Sequence, residues 1–439
     1  MTSRLAVLFP GQGAYLPGVL ADRARHFPKA VEVLETIDAV AAEHGFDPVA
    51  PLVLERDAAS LDELLTTNSD QLDLAIYAIN AAGFEIFSGL GLRADVLVGH
   101  SFGEFAALSA AAAVSTADVT RMACTRTKAF SRADPAEGGL LALDVPAWRA
   151  EHLVGLLDDP GLRLAIDNGP GQTVVSGPLA SLRAAENVAT GLGFRATRLR
   201  AKYAFHNALL HVAADIFRDS TEDVRLAEPR VPVFSPVLGR YVRTVADVRE
   251  VVVRNMVAPV RFYDALLSLF RSGTTTFVEV GARQALTGIV GSSLPASARA
   301  LPLLPSRGDV ESITTALDDA GLPVGRTPLP ARPDRDETVV RDAQESPRVV
   351  SPPEQAPPPE RTDVLTELAG MYAEDLGFPV EMLSSDIDLE ADLGVDSAKQ
   401  LALFERVRVR YGLAEPPAER RVRATTLEKI AELVEEQRR

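Results

Sequence analysis

The hexapeptide Gly-His-Ser-Phe-Gly-Glu at residues 99–104 sets one serine, Ser101, between two glycines, where the apolar run "ADVLVGH" gives way to an alanine-rich stretch. A serine at such a strand-to-helix turn has its hydroxyl held out at the tip, the G-x-S-x-G arrangement of a nucleophile. The same spacing also suits a tight turn whose serine merely caps the helix. A hydroxyl becomes a useful nucleophile only when a base takes its proton, and histidine does this near neutral pH. Of six histidines, His26, His44 and His152 lie in polar helical stretches and His211 can belong to the helix after "FHNALL". His100 is the chain neighbour of Ser101 and leaves the turn in another direction. His206, in "KYAFHNALL", stands where the chain returns from an inserted segment to the main body, and it is the preferred base.

These residues need a scaffold. "RLAVLFP", "ADVLVGH" and "TTFVEV" near 274–280 are apolar runs with helical patterns between them, which predicts a parallel sheet covered by helices. From about 138 to 200 the order becomes β-α-β-β-α-β, a ferredoxin-like insert, and the seam between the two parts is a natural place for a ligand. Prolines and charges crowd residues 327–360, as in a disordered or extended linker. Helical periodicity at 363–377, 397–412 and 426–437 predicts a small all-α bundle. The expected division is a body over 1–326, a linker over 327–360 and a helical domain over 361–439.

Composition narrows the class. With 46% hydrophobic and 24% charged residues the chain has a globular balance, and its net charge of −16 disfavours nucleic acid and anionic membranes as partners. The single cysteine, Cys124, cannot form an internal disulfide, and the N-terminus has too short an apolar run for a secretory signal. No run approaches 18 apolar residues, so no membrane span is expected. The expectation is a cytoplasmic protein without a metal.

Five segments together point further. "LFPGQG", "GHSFGE", the arginine of "CTRTKAF", "YAFHNAL" and "FVEVG" occur in the order and spacing of malonyl-type acyl-CoA:acyl-carrier-protein acyltransferases. Over roughly residues 3–310 the sequence resembles that family, including the acyltransferase domains of polyketide synthases. The resemblance implies an α/β fold, an α/β-hydrolase-like core with an inserted ferredoxin-like subdomain, and a Ser101 nucleophile with His206 as base. It implies an oxyanion hole formed by Gln12 and the backbone N–H of Phe102, where losing one donor commonly costs about 3 kcal/mol. The histidine is then oriented by a backbone carbonyl, with no catalytic aspartate. Gln71, in "NSDQLDLAIY", resembles the family's pocket glutamine, and Asn168, in "DNGPGQ", an asparagine at the edge of the active site.

Arg126 alone is one more cation on a basic helix, but it lies where the family places the arginine that grips the free carboxylate of malonyl or methylmalonyl groups. A guanidinium takes both carboxylate oxygens at once. A neutral acetyl group would leave that buried cation unpaired, at about 3–5 kcal/mol, or roughly a hundredfold in discrimination. The resemblance therefore implies a dicarboxylic donor, malonyl-CoA or a substituted malonyl-CoA. Around the base, Tyr203 matches the methylmalonyl type and Phe205 the malonyl type; Phe102 also suits malonyl, and the aromatic bulk of Phe205 favours it. "VEVGARQAL" departs from the family's Gly-Pro-Gly, which puts the local loop in doubt.

In the tail, "DLEADLGVDSAKQLALF" sets Asp396-Ser397 at the opening of a helix. On its own Asp396 is an ordinary cap. The stretch resembles the phosphopantetheine site of acyl carrier proteins over about 362–438, which implies 4'-phosphopantetheine on Ser397 and a phosphopantetheinyl transferase as partner. A phosphate ester there would lie at a helix N-terminus, where dipole and free N–H groups favour negative charge. Ala398 departs from the usual leucine, and Arg406, Arg408 and Arg410 make the second helix more basic than is typical. An extended linker of about 30 residues reaches roughly 90 Å, enough for self-loading, and other carrier proteins or polyketide synthase components are further acceptors. The reading is acyl transfer from CoA through Ser101 to a carrier thiol; the alternatives are an editing acyl hydrolase and a carrier scaffold with a non-catalytic body.

Overall fold

The computed structural model describes residues 4–322, 324, 361–376, 389, 397–411 and 426–438. It divides into two compact units, 1–327 and 328–439. The expected linker over 327–360 lies outside the described residues, as do Asp396 and the side chain of Ser397.

In the first unit the strands are β1 (Arg4–Phe9), β2 (Val96–Gly99), β3 (Gly138–Leu143), β4 (Arg163–Gly169), β5 (Gln172–Pro178), β6 (Ala196–Leu199), β7 (Val233–Ser235), β8 (Arg240–Val242), β9 (Val260–Arg261), β10 (Thr274–Ala282) and β11 (Arg299–Leu304). The larger sheet runs β11-β10-β1-β2-β7-β8, parallel except for β8 at its edge. Its central strands are apolar along their whole length: Ala6 to Phe9 and Val96 to Val98 are fully buried. Strands covered on both faces read as continuous apolar runs rather than alternating ones, which is why "RLAVLF" and "VLVG" are legible as strands.

The smaller sheet runs β6-β3-β5-β4-β9. Its first four strands are antiparallel neighbours, with the helices Ala147–Leu157 and Leu179–Gly191 in the crossovers. That is the β-α-β-β-α-β order of the insert. β9 adds a short parallel strand at the β4 edge, a pairing that the sequence between 200 and 262 does not advertise. Apolar residues of both helices, among them Ala150, Leu153, Leu182 and Ala185, pack on Leu141, Leu143 and Val175.

The second unit contains helices Arg361–Leu376, Ser397–Tyr411 and Leu427–Arg438 among its described residues. They share a core of Leu368, Tyr372, Leu403, Val407, Ile430 and Val434. No described helix is long and apolar enough to cross a membrane.

Candidate active site

The turn after β2 explains its glycines. A Cβ on Gly103 would lie 2.0 Å from the Phe9 carbonyl oxygen, and one on Gly99 2.2 Å from the Glu104 Cα. Any side chain at either position would force the helix Gly103–Ala110 off the sheet. The backbone between them bends through a left-handed residue, Ser101 itself, at φ 54°. Such a conformation costs an L-residue roughly 1–2 kcal/mol and persists where the surroundings hold it. Two bonds do so here: Asn255 Nδ2 donates to the Ser101 carbonyl at 2.9 Å, and Glu104 N–H donates to the same oxygen at 3.1 Å.

The second left-handed residue of the site is His206, at φ 59°. Its N–H donates to the Met256 carbonyl at 2.8 Å, while the next side chain, Asn207, is tied to the Gly161 carbonyl at 2.9 Å. The ring thus points at the elbow: Nε2 lies 2.7 Å from Ser101 Oγ, and Nδ1 lies 2.9 Å from the Ala258 carbonyl oxygen. A carbonyl only accepts, so Nδ1 carries the proton and Nε2 is the acceptor facing the hydroxyl. Burial lowers the imidazole pKa to about 3; the Ala258 hydrogen bond opposes this, and neighbouring His100 and Arg126 add to the lowering. The imidazole is therefore neutral at physiological pH. The nitrogen chemical shifts of His206 are expected to stay those of a neutral Nδ1–H imidazole from pH 8 down to pH 5; half-protonation near the ordinary value of about 6.5 would contradict the arrangement. The unfolded chain takes up this proton near 6.5 and the folded one only near 3. The stability contribution of His206 is accordingly lost progressively as pH falls through that window.

Behind the elbow sits Glu104, 1% exposed, accepting from Ser235 Oγ at 2.5 Å and Asn255 Nδ2 at 3.2 Å. Burial raises its pKa to about 7. Glu104 and Asn255 together brace the turn, and neither is marked by a local sequence signature. Asn255 is 154 positions from Ser101, so no local pattern relates them.

The loop after β1 closes the site from another side. A Cβ on Gly11 would lie 3.3 Å from Ser101 Cβ and 3.4 Å from the Phe102 nitrogen, so this loop rests directly on the elbow. The backbone N–H groups of Gln12 and Phe102 make no hydrogen bond to other described residues. Two free donors beside a serine hydroxyl are what a developing oxyanion requires. The Gln12 side chain is used differently, its Nε2 donating to Asp73 Oδ1 at 3.0 Å.

Arg126 lies on the helix Thr116–Ala133, 5% exposed, with Phe102, Phe130 and Phe205 around it at 5.3, 5.2 and 5.0 Å from guanidinium carbon to ring centre. Tyr203 is one layer out, stacked on Phe130 at 4.6 Å. The expectation of a cation that stays bare until a substrate carboxylate arrives is not met. Asp73 already pairs with Arg126 Nη1, so the roughly hundredfold discrimination argued from a bare cation loses its basis.

Gln71 does not join this group. Its Nε2 donates to the Asp47 carbonyl at 3.0 Å and its Oε1 accepts from Asn68 at 2.9 Å. On the helix Ser69–Gly89 each residue turns about 100°, so positions 71 and 73 point roughly 200° apart. It is Asp73 that reaches Arg126. Asn168 sits on β4; its Oδ1 accepts from His100 Nε2–H at 2.8 Å, while its Nδ2 donates to Gln172 at 2.7 Å. His100 thus leaves the turn for the smaller sheet, with its ring edge-on to Phe262 at 4.9 Å. The departure in "VEVGARQAL" has a cost: Arg283 takes φ 68°, a conformation that glycine adopts freely, and is held by its Nε donating to the Tyr15 carbonyl at 3.1 Å.

A parallel α/β body with a β-α-β-β-α-β insert and a serine elbow at the end of β2 is the fold of the acyltransferases. It superposes on the acyltransferase domain from the second module of the salinomycin polyketide synthase with a TM-score of 0.63 at 29% identity, covering 73% of this chain and 74% of that one. It matches malonyl-CoA:acyl carrier protein transacylase from Xanthomonas oryzae pv. oryzae with a TM-score of 0.64 at 26% identity, covering 73% and 99%. The chain belongs to the acyl transferase domain family, whose model matches residues 7–321. A second model, the phosphopantetheine attachment site, matches residues 366–434, so a carrier domain follows the acyltransferase. The malonyl CoA-acyl carrier protein transacylase of Bacillus subtilis is 31% identical over 293 residues, 66% of this chain and 90% of that protein. A non-reducing polyketide synthase of Ustilaginoidea virens is 29% identical over 329 residues, and the chain spans only 15% of its length.

Proposed function

We propose that the chain transfers a malonyl-type acyl group from CoA to a carrier protein by way of an ester on Ser101. The observation that carries this reading is the 2.7 Å approach of Ser101 Oγ to His206 Nε2, with Nδ1 tied to the Ala258 carbonyl. In the first half-reaction His206 takes the Ser101 proton while Oγ attacks the thioester carbonyl. The oxyanion is met by the N–H groups of Gln12 and Phe102. His206 then gives its proton to the departing CoA sulfur. In the second half-reaction His206 accepts the proton of the incoming acceptor and returns it to Ser101 as the ester is cleaved.

Ser397 opens the helix Ser397–Tyr411, where the free N–H groups of a first turn suit a phosphate ester. It would carry 4'-phosphopantetheine, installed by a phosphopantetheinyl transferase, whose terminal thiol supplies the acceptor. Support for a malonyl-type donor comes from Arg126 among Phe102, Phe130 and Phe205 and from the named activity of the Bacillus subtilis relative. The bulk of Phe205 favours malonyl over branched malonyl groups. We place the reaction in the cytoplasm, where CoA thioesters are made, and in polyketide or related biosynthesis.

Incubation of the phosphopantetheinylated chain with malonyl-, methylmalonyl- and acetyl-CoA, followed by peptide mass spectrometry, tests the reading. Acyl mass on the Ser397 peptide is expected. Release of free malonate with no protein adduct would indicate a hydrolase, and no turnover at all a scaffold.

A further inference from the structure

Arg126 donates through Nη1 to Asp73 Oδ2, and Asp73 Oδ1 accepts from Gln12 at 3.0 Å. Asp73 is 8% exposed and Arg126 5%, so this is a desolvated ion pair and not a surface contact. The guanidinium is nevertheless incompletely satisfied: Arg126 Nε is buried with no acceptor. A buried orphan donor on a charged group is costly, so an acceptor brought within its reach would relieve that cost. With Nη1 taken, the edge formed by Nε and Nη2 remains, and that edge is geometrically able to hold a second carboxylate side-on.

We infer that Asp73 is a specificity-determining residue that shares Arg126 with the acyl donor, Asp73 on Nη1 and the donor's free carboxylate on the Nε edge, and that it thereby moderates the preference for carboxylated over neutral acyl groups. This rests on the donor class proposed above. An unpaired arginine would go from +1 to neutral when a malonyl carboxylate arrives. The pair found here goes from neutral to −1, with two carboxylates across one guanidinium repelling each other. A neutral acyl group, in turn, leaves no bare cation behind, because Asp73 stays. Both effects act in one direction, reducing the gap between malonyl and acetyl.

The test uses the full chain carrying Ser101→Ala, so that thioesters bind without reacting, and measures the malonyl-CoA to acetyl-CoA affinity ratio by calorimetry. With Asp73 present the ratio is expected to stay within about tenfold, and in Asp73→Asn, which keeps the shape but not the charge, to rise at least about tenfold further, about 1.4 kcal/mol. Pairing Asp73→Asn with Arg126→Gln is expected to return the ratio to near one. A ratio already above about a hundredfold with Asp73 in place overturns the inference, and this needs no change in the pocket, so it decides even where Asp73→Asn does not fold. An unchanged ratio in a folded Asp73→Asn protein also overturns it. Failure of the proposed transfer is read separately: a chain with Ser101 intact would then form no acyl ester with either thioester, whatever the binding ratio.

Discussion

Replacing Ser101 by alanine is expected to lower acyl transfer from malonyl-CoA by about 10⁴-fold or more while leaving the protein folded. The loss is chemical. Ser101 Oγ is the hydroxyl 2.7 Å from the neutral face of His206, and without it the two free backbone donors have no tetrahedral centre to stabilise. The fold is expected to tolerate the change because alanine at φ 54° is under the same strain as serine there. The bonds that hold the turn, from Asn255 Nδ2 and from the Glu104 N–H, go to the backbone carbonyl and are untouched. CoA release and carrier loading, each followed against circular dichroism of the same preparation, check this. Loading within tenfold of the unaltered chain, at equal folding, would remove Ser101 from the chemistry.

The second large effect is that of His206. A serine hydroxyl is almost wholly protonated at neutral pH, so removing the base is expected to cost about 10³–10⁴-fold in the acylation step. His206→Asn is the variant to use. Asparagine tolerates the left-handed region better than other non-glycine residues, and the site's φ of 59° would strain alanine. Its side-chain amide can still donate toward the Ala258 carbonyl, which is otherwise left unsatisfied in a buried place. Single-turnover acylation rates measure the effect. If the rate recovers tenfold or more when added imidazole is supplied, the missing group is the proton acceptor and not a packing element. A variant within tenfold of the unaltered rate would assign the base elsewhere.

The proposed catalytic pair, Ser101 and His206, is legible in the sequence because each member carries a local signature. Two glycines around a serine report a bend that only they permit, and an apolar run before them reports a buried strand. His206 was marked by its place after the insert. The pocket was less readable. Arg126 is marked only by the family resemblance, and its partner by nothing: Asp73 lies 53 positions away on another helix, and the same short segment offers Gln71, which faces about 200° away. Side chains that meet across two helices leave no trace in either helix's periodicity. The bracing of the elbow by Asn255 follows the same rule. That a backbone carbonyl orients His206 is implied by the family resemblance, but that it is the carbonyl of Ala258 is not, since no residue type advertises a backbone atom. In the second unit the periodicity of three helices was enough to place the bundle, because its core residues recur at helical spacing.

That the acyl group rests covalently on Ser101 between donor and acceptor is the claim on which the others depend. Its most direct test is rapid-quench peptide mapping of the Ser397→Ala chain, which lacks the proposed site of the acceptor arm, after mixing with malonyl-CoA. The account predicts one CoA released per chain in a burst, with a malonyl ester on the peptide that contains Ser101. Release of CoA with that peptide unmodified, or with the acyl group on another residue, would contradict it.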